Sequence, residues 1–329
     1  MAFPVGDSRP MKAECKVQPR FSKTLLFQIL ILVGLIAGMQ VWLFRLPNRE
    51  ELGQRVSSLD FAPVALSPAD FAPLRLAGAW ALRSTDPRFG GVSALAVDGK
   101  ALVAVTDSGA VIRFPQPGPG PATARIGELP GGPGNPAFKS NRDAEALVRD
   151  PRGRGWWVAF ENRNQLWLYD HAFGRALARL DFGRSRWRRN EGIEGLAADG
   201  EKVLLIPESG KTFVRLSGRR ALTLPIERFA GRISDAARLP GGGLAVIHRH
   251  WTLLGFANAI SLIEPAAGGR LGVARSFRLG GLRLDNVEAL AVERLAGGET
   301  RLWLMTDDGL QRPMRTLLIA LDVPREVGG

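Results

Sequence analysis

Cysteine occurs once, at Cys15, and histidine three times. A lone cysteine placed ahead of an apolar segment has no partner for an internal disulfide, so packing or a bound cation has to hold the fold. The same scarcity leaves a poor ligand supply for zinc. No G-x-S-x-G stretch is present, and His171, His248 and His250 have no motif serine nearby, which argues against a nucleophile-elbow hydrolase. Neither a P-loop lysine nor a helix follows Gly131-Gly132 or Gly241-Gly242-Gly243, so these glycines read as turns. No segment after residue 50 sustains a helical apolar period, against a helical solenoid. Zinc-finger spacing, an RNP-like aromatic strand and a basic helix are missing too. The net charge of +12 therefore does not read as nucleic-acid binding, its arginines being scattered between strands. The densest basic run, Arg184, Arg186, Arg188 and Arg189 around Trp187, reads as a solvated loop, with a landing site for an anionic ligand or lipid headgroup as the alternative.

Glycine (39) and proline (22) are plentiful in the 329 residues, and 45% of the chain is hydrophobic. That composition excludes disorder and favours an all-β domain with many turns. Residues 24–44 run without a charge for the length of a bilayer-spanning helix, and Lys12, Lys16, Arg20 and Lys23 precede them. The arrangement predicts a retained signal-anchor helix rather than a cleaved signal peptide. It places a basic N-terminus (1–23) in the cytoplasm of a bacterium, and the rest on the periplasmic side of the inner membrane. Residues 45–73, with Pro47, Pro63, Pro68 and Pro73, read as a linker to a domain at 74–329.

Within that domain a loose repeat of about 40 to 50 residues can be aligned five times, the grammar of a propeller blade. A short strand opens on a polar residue, a turn follows, an apolar strand ends on another polar residue, and a strand returns. The expected fold is a five- or six-bladed β-propeller, its last blade completed by residues 74–82 against the C-terminal strand. The opening positions are Ser93, Glu145, Glu194, Asp235 and Glu288. The closing positions are Asp107, Glu161, Glu208, His248 or Arg249, and Asp307. A lone strand carboxylate is ordinarily a solvated residue, but matched positions of a closed ring converge on its axis, near Asn141, Asn162, Asn190 and Asn286. Carboxylates held so close must be protonated or hold a hard cation such as Ca2+ or Mg2+. Tryptophans 156, 157, 167, 187, 251 and 303 read as filling between blades.

The repeats also resemble a known family, the phytase-like domain called "esterase-like activity of phytase", over residues 74–323. The likeness rests on GGVSAL with TDSG, RDAEALV with FENRNQLWLYD, NEGIEGLA with PESG, and NVEALAV with MTDDG and RTLLIAL. Ser108, Ala146, Ala289 and Met314 depart from the family's usual residues. The resemblance implies an exported β-propeller rich in acidic residues, with phosphoester or ester hydrolase activity. For such a reaction the candidate metal ligands are Glu145, Glu194, Glu288 and Asp107. Glu161, Glu208 and Asp307 are further ligands or a general base, and Arg142 and Arg163 the substrate-binding residues. The alternative is a non-catalytic platform for an envelope protein, glycan or lipid.

Overall fold

The computed structural model describes residues 27–34, 53–183, 192–218, 220–226, 231–252, 255–265, 270–280, 284, 286–308 and 315–324. Residues 27–34 are helical and exposed; the rest of the expected membrane segment lies outside the described residues. Among the described residues no helix is long and apolar enough to cross a membrane. The chain divides into a unit at 1–44 and a unit at 45–329.

The second unit is built from up-and-down antiparallel strands. It opens with β1 (Arg55–Pro63) and β2 (Arg75–Ser84), then runs through β3 (Val92–Asp98), β4 (Ala101–Thr106), β5 (Ala110–Pro115) and β6 (Ala122–Glu128). A quartet follows, β7 (Ala144–Arg149), β8 (Trp156–Phe160), β9 (Gln165–Tyr169) and β10 (Ala176–Asp181). The next is β11 (Ile193–Asp199), β12 (Lys202–Pro207), β13 (Thr212–Ser217) and β14 (Arg220–Pro225). After it come β15 (Arg232–Arg238), β16 (Leu244–Thr252), β17 (Gly255–Pro265) and β18 (Leu271–Leu279). Strands β19 (Asn286–Arg294), β20 (Thr300–Asp307) and β21 (Leu317–Val323) end the fold, and β2 pairs with β21 to complete their sheet. Strand β1 joins β2 to β6, so the first and last runs form one nine-stranded sheet in the order β19-β20-β21-β2-β1-β6-β5-β4-β3. This is a correction to the linker expected at 45–73. In β1, Leu59 is buried among the core residues while Pro63 ends the strand and Pro68 opens a short 3-10 turn, so the prolines punctuate structure instead of replacing it.

The opening strands β3, β7, β11, β15 and β19 each lie against the next, and β19 lies against β3. That closure is the β-propeller arrangement, which leaves few free sheet edges. Burial follows position. Strand β8, walled on both faces, is wholly buried, whereas outer β10 is exposed along nearly its whole length. This accounts for the continuous apolar run GWWVAF beside the mixed outgoing strands. Five apolar clusters fill the spaces between successive blades. Trp156, Trp157 and Trp303 are buried in three of them, and Trp167 packs at the edge of one. Trp187 and the side chain of Trp251 lie outside the described residues. Charged clasps lock the ends far from the strand openings. Asp98 at the end of β3 pairs with Arg113 of its own sheet and, at 3.2 Å, with Arg149 of the next. Asp199 at the end of β11 repeats this with Arg215 at 2.5 Å and Arg238 at 3.4 Å.

A candidate acidic site at the strand openings

Each opening strand carries a register shift against its partner at the same place, between Val92 and Ala94, Ala144 and Ala146, Ile193 and Gly195, Ile233 and Asp235, and Val287 and Ala289. The bulged residues are Ser93, Glu145, Glu194, Ser234 and Glu288. A bulge re-aims the side chain it carries, and here it recurs at one end of every opening strand. In the fourth sheet the matched residue is thus Ser234 and not Asp235. Asp235 instead accepts hydrogen bonds from Leu290 N at 2.8 Å and Ala236 N at 2.7 Å, tying β15 to β19 within the buried wall. The partner strands resolve the second ambiguity. Arg249 faces Arg232, as Asp307 faces Asn286, so Arg249 holds the closing position; His248 pairs one step earlier, is buried, and bonds Ser261 Oγ at 2.8 Å.

The carboxylates come close enough to govern one another's ionisation. Burial pushes Glu145 well above the usual carboxylate range, and Asp143, Glu194, Glu288 and Glu161 add to the rise. Burial does the same to Glu194, reinforced by Glu161, Glu208 and Glu288 and opposed by Arg249. Glu161 is pushed up to about 7, by burial first and then by Asp143 and Glu208. Couplings such as Glu145 to Glu288 and Glu194 to Glu288 link opening strands that are not neighbours in the ring, which requires convergence near the ring axis. Gly192 makes room for this. A Cβ there would come within 2.3 Å of Glu161 Cγ and 2.9 Å of its Cα, so Glu161 rests directly on the glycine backbone.

One ligand oxygen from each of Asp143, Glu145 and Glu161 lies within 4.8 Å of the others. The donors are all carboxylate oxygens, the chemistry that suits Ca2+ or Mg2+. Asp107 Oδ1, nearby, is buried without a hydrogen-bond partner among the described residues. The residues present therefore fit a hard cation. Cations of the protein share the space. Lys139 Nζ pairs with Asp107 at 2.7 Å and Asp143 at 3.6 Å, Arg232 with Glu208 at 2.9 Å, and Arg249 with Glu288. Burial would lower Lys139, but Asp107 and Asp143 outweigh it and raise it above the ordinary lysine range, keeping it charged.

The expected residues fall into distinct places. Glu145, Glu161, Glu194, Glu208, Glu288 and Asp107 share the acidic end, and Asp307 ends β20 beside Asn286. Asn162 bonds Asp143, Asn286 Nδ2 donates to Glu288 at 2.6 Å, and Asn141 Oδ1 accepts from Arg163 Nε at 2.8 Å. Asn190, the Arg184 to Arg189 run and Met314 lie outside the described residues. Arg142 is buried. Its Nη1 would meet a Cβ on Gly132 at 2.0 Å and its Cβ one on Gly109 at 2.9 Å, and its charge acts on Tyr169. It serves the wall between the first two sheets rather than the open end. Three further residues lie outside the polar positions that the repeat pattern picks out. Asp143 precedes Glu145 by two in the same motif, and Lys139 sits four residues earlier on a one-turn helix, Lys139–Arg142, a spacing that brings the pair together. The third is Asp308, which accepts from Gly91 N at 3.0 Å and from Thr316 Oγ1 at 2.9 Å, tying the end of β20 to the start of β3.

No curated protein matches the chain. Glutaminyl cyclase of Myxococcus xanthus is similar at 13% identity and a TM-score of 0.49, over 76% of this chain and 97% of that one. PQQ-bound aldose sugar dehydrogenase of Streptomyces coelicolor is similar at 14% and 0.44, over 75% and 98%. A putative 6-phosphogluconolactonase of Bacteroides uniformis is similar at 13% and 0.40, over 82% and 79%. The family described as "Phytase-like: Esterase-like activity of phytase" matches residues 87–310, more than half of the sequence, and the chain belongs to that family.

Proposed function

We propose that this chain is a five-bladed, membrane-anchored periplasmic propeller whose acidic end binds Ca2+ or Mg2+ and hydrolyses a phosphoester or ester. The observation that carries the reading is the convergence of Asp143, Glu145 and Glu161, with the unpartnered Asp107 Oδ1 beside them. Five opening strands in mutual contact support the blade number. The anchor rests on the uncharged run at 24–44 and the lysines and arginine before it.

Asp143, Glu145 and Glu161 are the ligands in this reading. A hard divalent ion there would supply Lewis acidity toward a phosphoryl or acyl oxygen and toward water. The chain's own groups do the rest. Glu194, whose carboxyl is pushed well above the usual range by burial and its acidic neighbours, is the group placed to donate a proton to the leaving group. Glu208, held by Arg232, is placed to accept one. Arg163 and Arg232 supply positive charge for an anionic substrate.

The test is calorimetric titration of the full chain in detergent with Ca2+ and Mg2+, followed by a panel of phosphoesters and carboxylic esters. Glu145→Gln should abolish cation binding. Glu194→Gln should leave binding intact and lower turnover by about 100-fold or more, the ordinary contribution of a general acid. Absence of cation binding to the wild type would remove the proposal. A second reading, a non-catalytic platform for an envelope component, draws on the internal pairing of Glu208, Glu288 and Asp107 with Arg232, Arg249 and Lys139. Cation binding with no turnover of any panel member would favour it.

A further inference from the structure

A second constellation lies toward the other end of the strands. Between the first two sheets runs a cavity of about 950 Å³, of a size that holds a small organic molecule. Its wall includes Lys100, Arg113, Arg125 and Arg149, four cations, against one carboxylate, Asp98. Arg113 and Arg149 share that carboxylate. Lys100 and Arg125 are exposed and make no ion pair among the described residues. The floor is apolar, formed by Val111 and Phe173, whose side chains pack in one cluster, with the exposed Val56 beside them.

The corresponding space between the third and fourth sheets separates structure from surplus. It carries the same clasp, Asp199 with Arg215 and Arg238, but encloses about 260 Å³ and adds only Arg270. The clasp is therefore a repeated brace. The width, the apolar floor and the two additional cations at the first groove are not explained by it. Cations around an apolar floor attract an anion that carries an apolar body, since the charge stays solvated at the rim while the body covers the floor.

We propose that this groove binds a phosphate monoester or phosphonate dianion attached to an apolar group, from either a lipid headgroup or a soluble molecule. The test uses the full chain in a nonionic detergent, with dioctanoyl phosphatidate as the lipid probe and naphthylmethylphosphonate as the soluble one. Either should bind, more weakly as salt rises, and Lys100→Glu with Arg125→Glu should raise Kd by about tenfold or more. Glu145→Gln should leave this binding unchanged. Should charge reversal lower the melting temperature, the double glutamine variant replaces it. The probe that binds identifies the source. Binding of neither probe, binding indifferent to the double variant, or binding lost in Glu145→Gln instead would overturn the assignment.

Discussion

Glu161 is the most informative single side chain, because its proton is shared with the medium near neutrality. Its carboxyl sits at about 7 in the fold against an ordinary 4.5. Between those values the folded chain keeps a proton that the unfolded chain has lost, so stability falls as pH rises through the window. Glu145 and Glu194 are shifted in the same direction by the same causes. Thermal melts in EDTA should therefore show a midpoint that drops between about pH 5 and pH 8, and the drop should shrink in Glu161→Gln. Added Ca2+ should reverse the trend, since its ligands must be deprotonated to bind it and affinity then climbs with pH. A flat profile in EDTA would mean that the carboxylates do not crowd one another. Gly192 is the structural counterpart of Glu161. Gly192→Ala would push that side chain off its bed, and calorimetry should record at least about a tenfold loss in cation affinity with the fold retained.

The opening strands work through their bulges. At Glu145, Glu194 and Glu288 a carboxylate occupies the extra residue, where an unbroken pairing would have continued the strict alternation of faces. The fourth strand has Ser234 there, and Asp235 performs a different task. It accepts two buried backbone N–H groups, one from its own strand and one from β19. Asp235→Ala would strand both donors at a cost of about 2–4 kcal/mol. A melt should show a midpoint lower by several degrees, with Asp235→Asn intermediate because one acceptor remains. Unchanged cation binding in either variant would separate this brace from the acidic cluster. Alignment of short motifs located these strands and most of their carboxylates. It misassigned Asp235 because a bulge shifts register by one residue, and local sequence similarity does not reveal where pairing slips. Lys139 was missed for a related reason: its target carboxylate Asp107 lies on another sheet.

Closure of the ring depends on both ends of the domain. Strand β2 pairs with β21, β1 bridges β2 to β6, and Arg88 locks this seam through a buried pair with Asp86 and bonds to the carbonyls of Gly53 and Ile126. A chain ending after Asp308 loses β21, bares the pairing edge of β20 and leaves β2 paired on one side alone, with β1. Circular dichroism of that truncation should show loss of the cooperative thermal transition, not a modest shift. A cooperative transition near the wild-type midpoint would show that the ring does not need this closure. Removal of residues before Gly53 should by contrast leave the transition of the domain in place, because the Arg88 bond to Gly53 and the pairing of β1 are both kept.

The sequence alone determined the all-β class, the repeat, the family and the list of acidic positions, because each is written in short-range patterns: apolar runs, turn glycines and polar residues at fixed offsets. It also showed that an oxygen-rich cation site was the chemistry open to a chain with one cysteine and three histidines. Tertiary structure decided which acids meet. Asp143, Glu145 and Glu161 bring one oxygen each within 4.8 Å of the others, Arg142 withdraws into a wall, and β1 joins the seam where a linker was expected. These outcomes depend on ring closure and on single-residue bulges. Both are set by contacts between residues distant in the chain, whose positions no local pattern records.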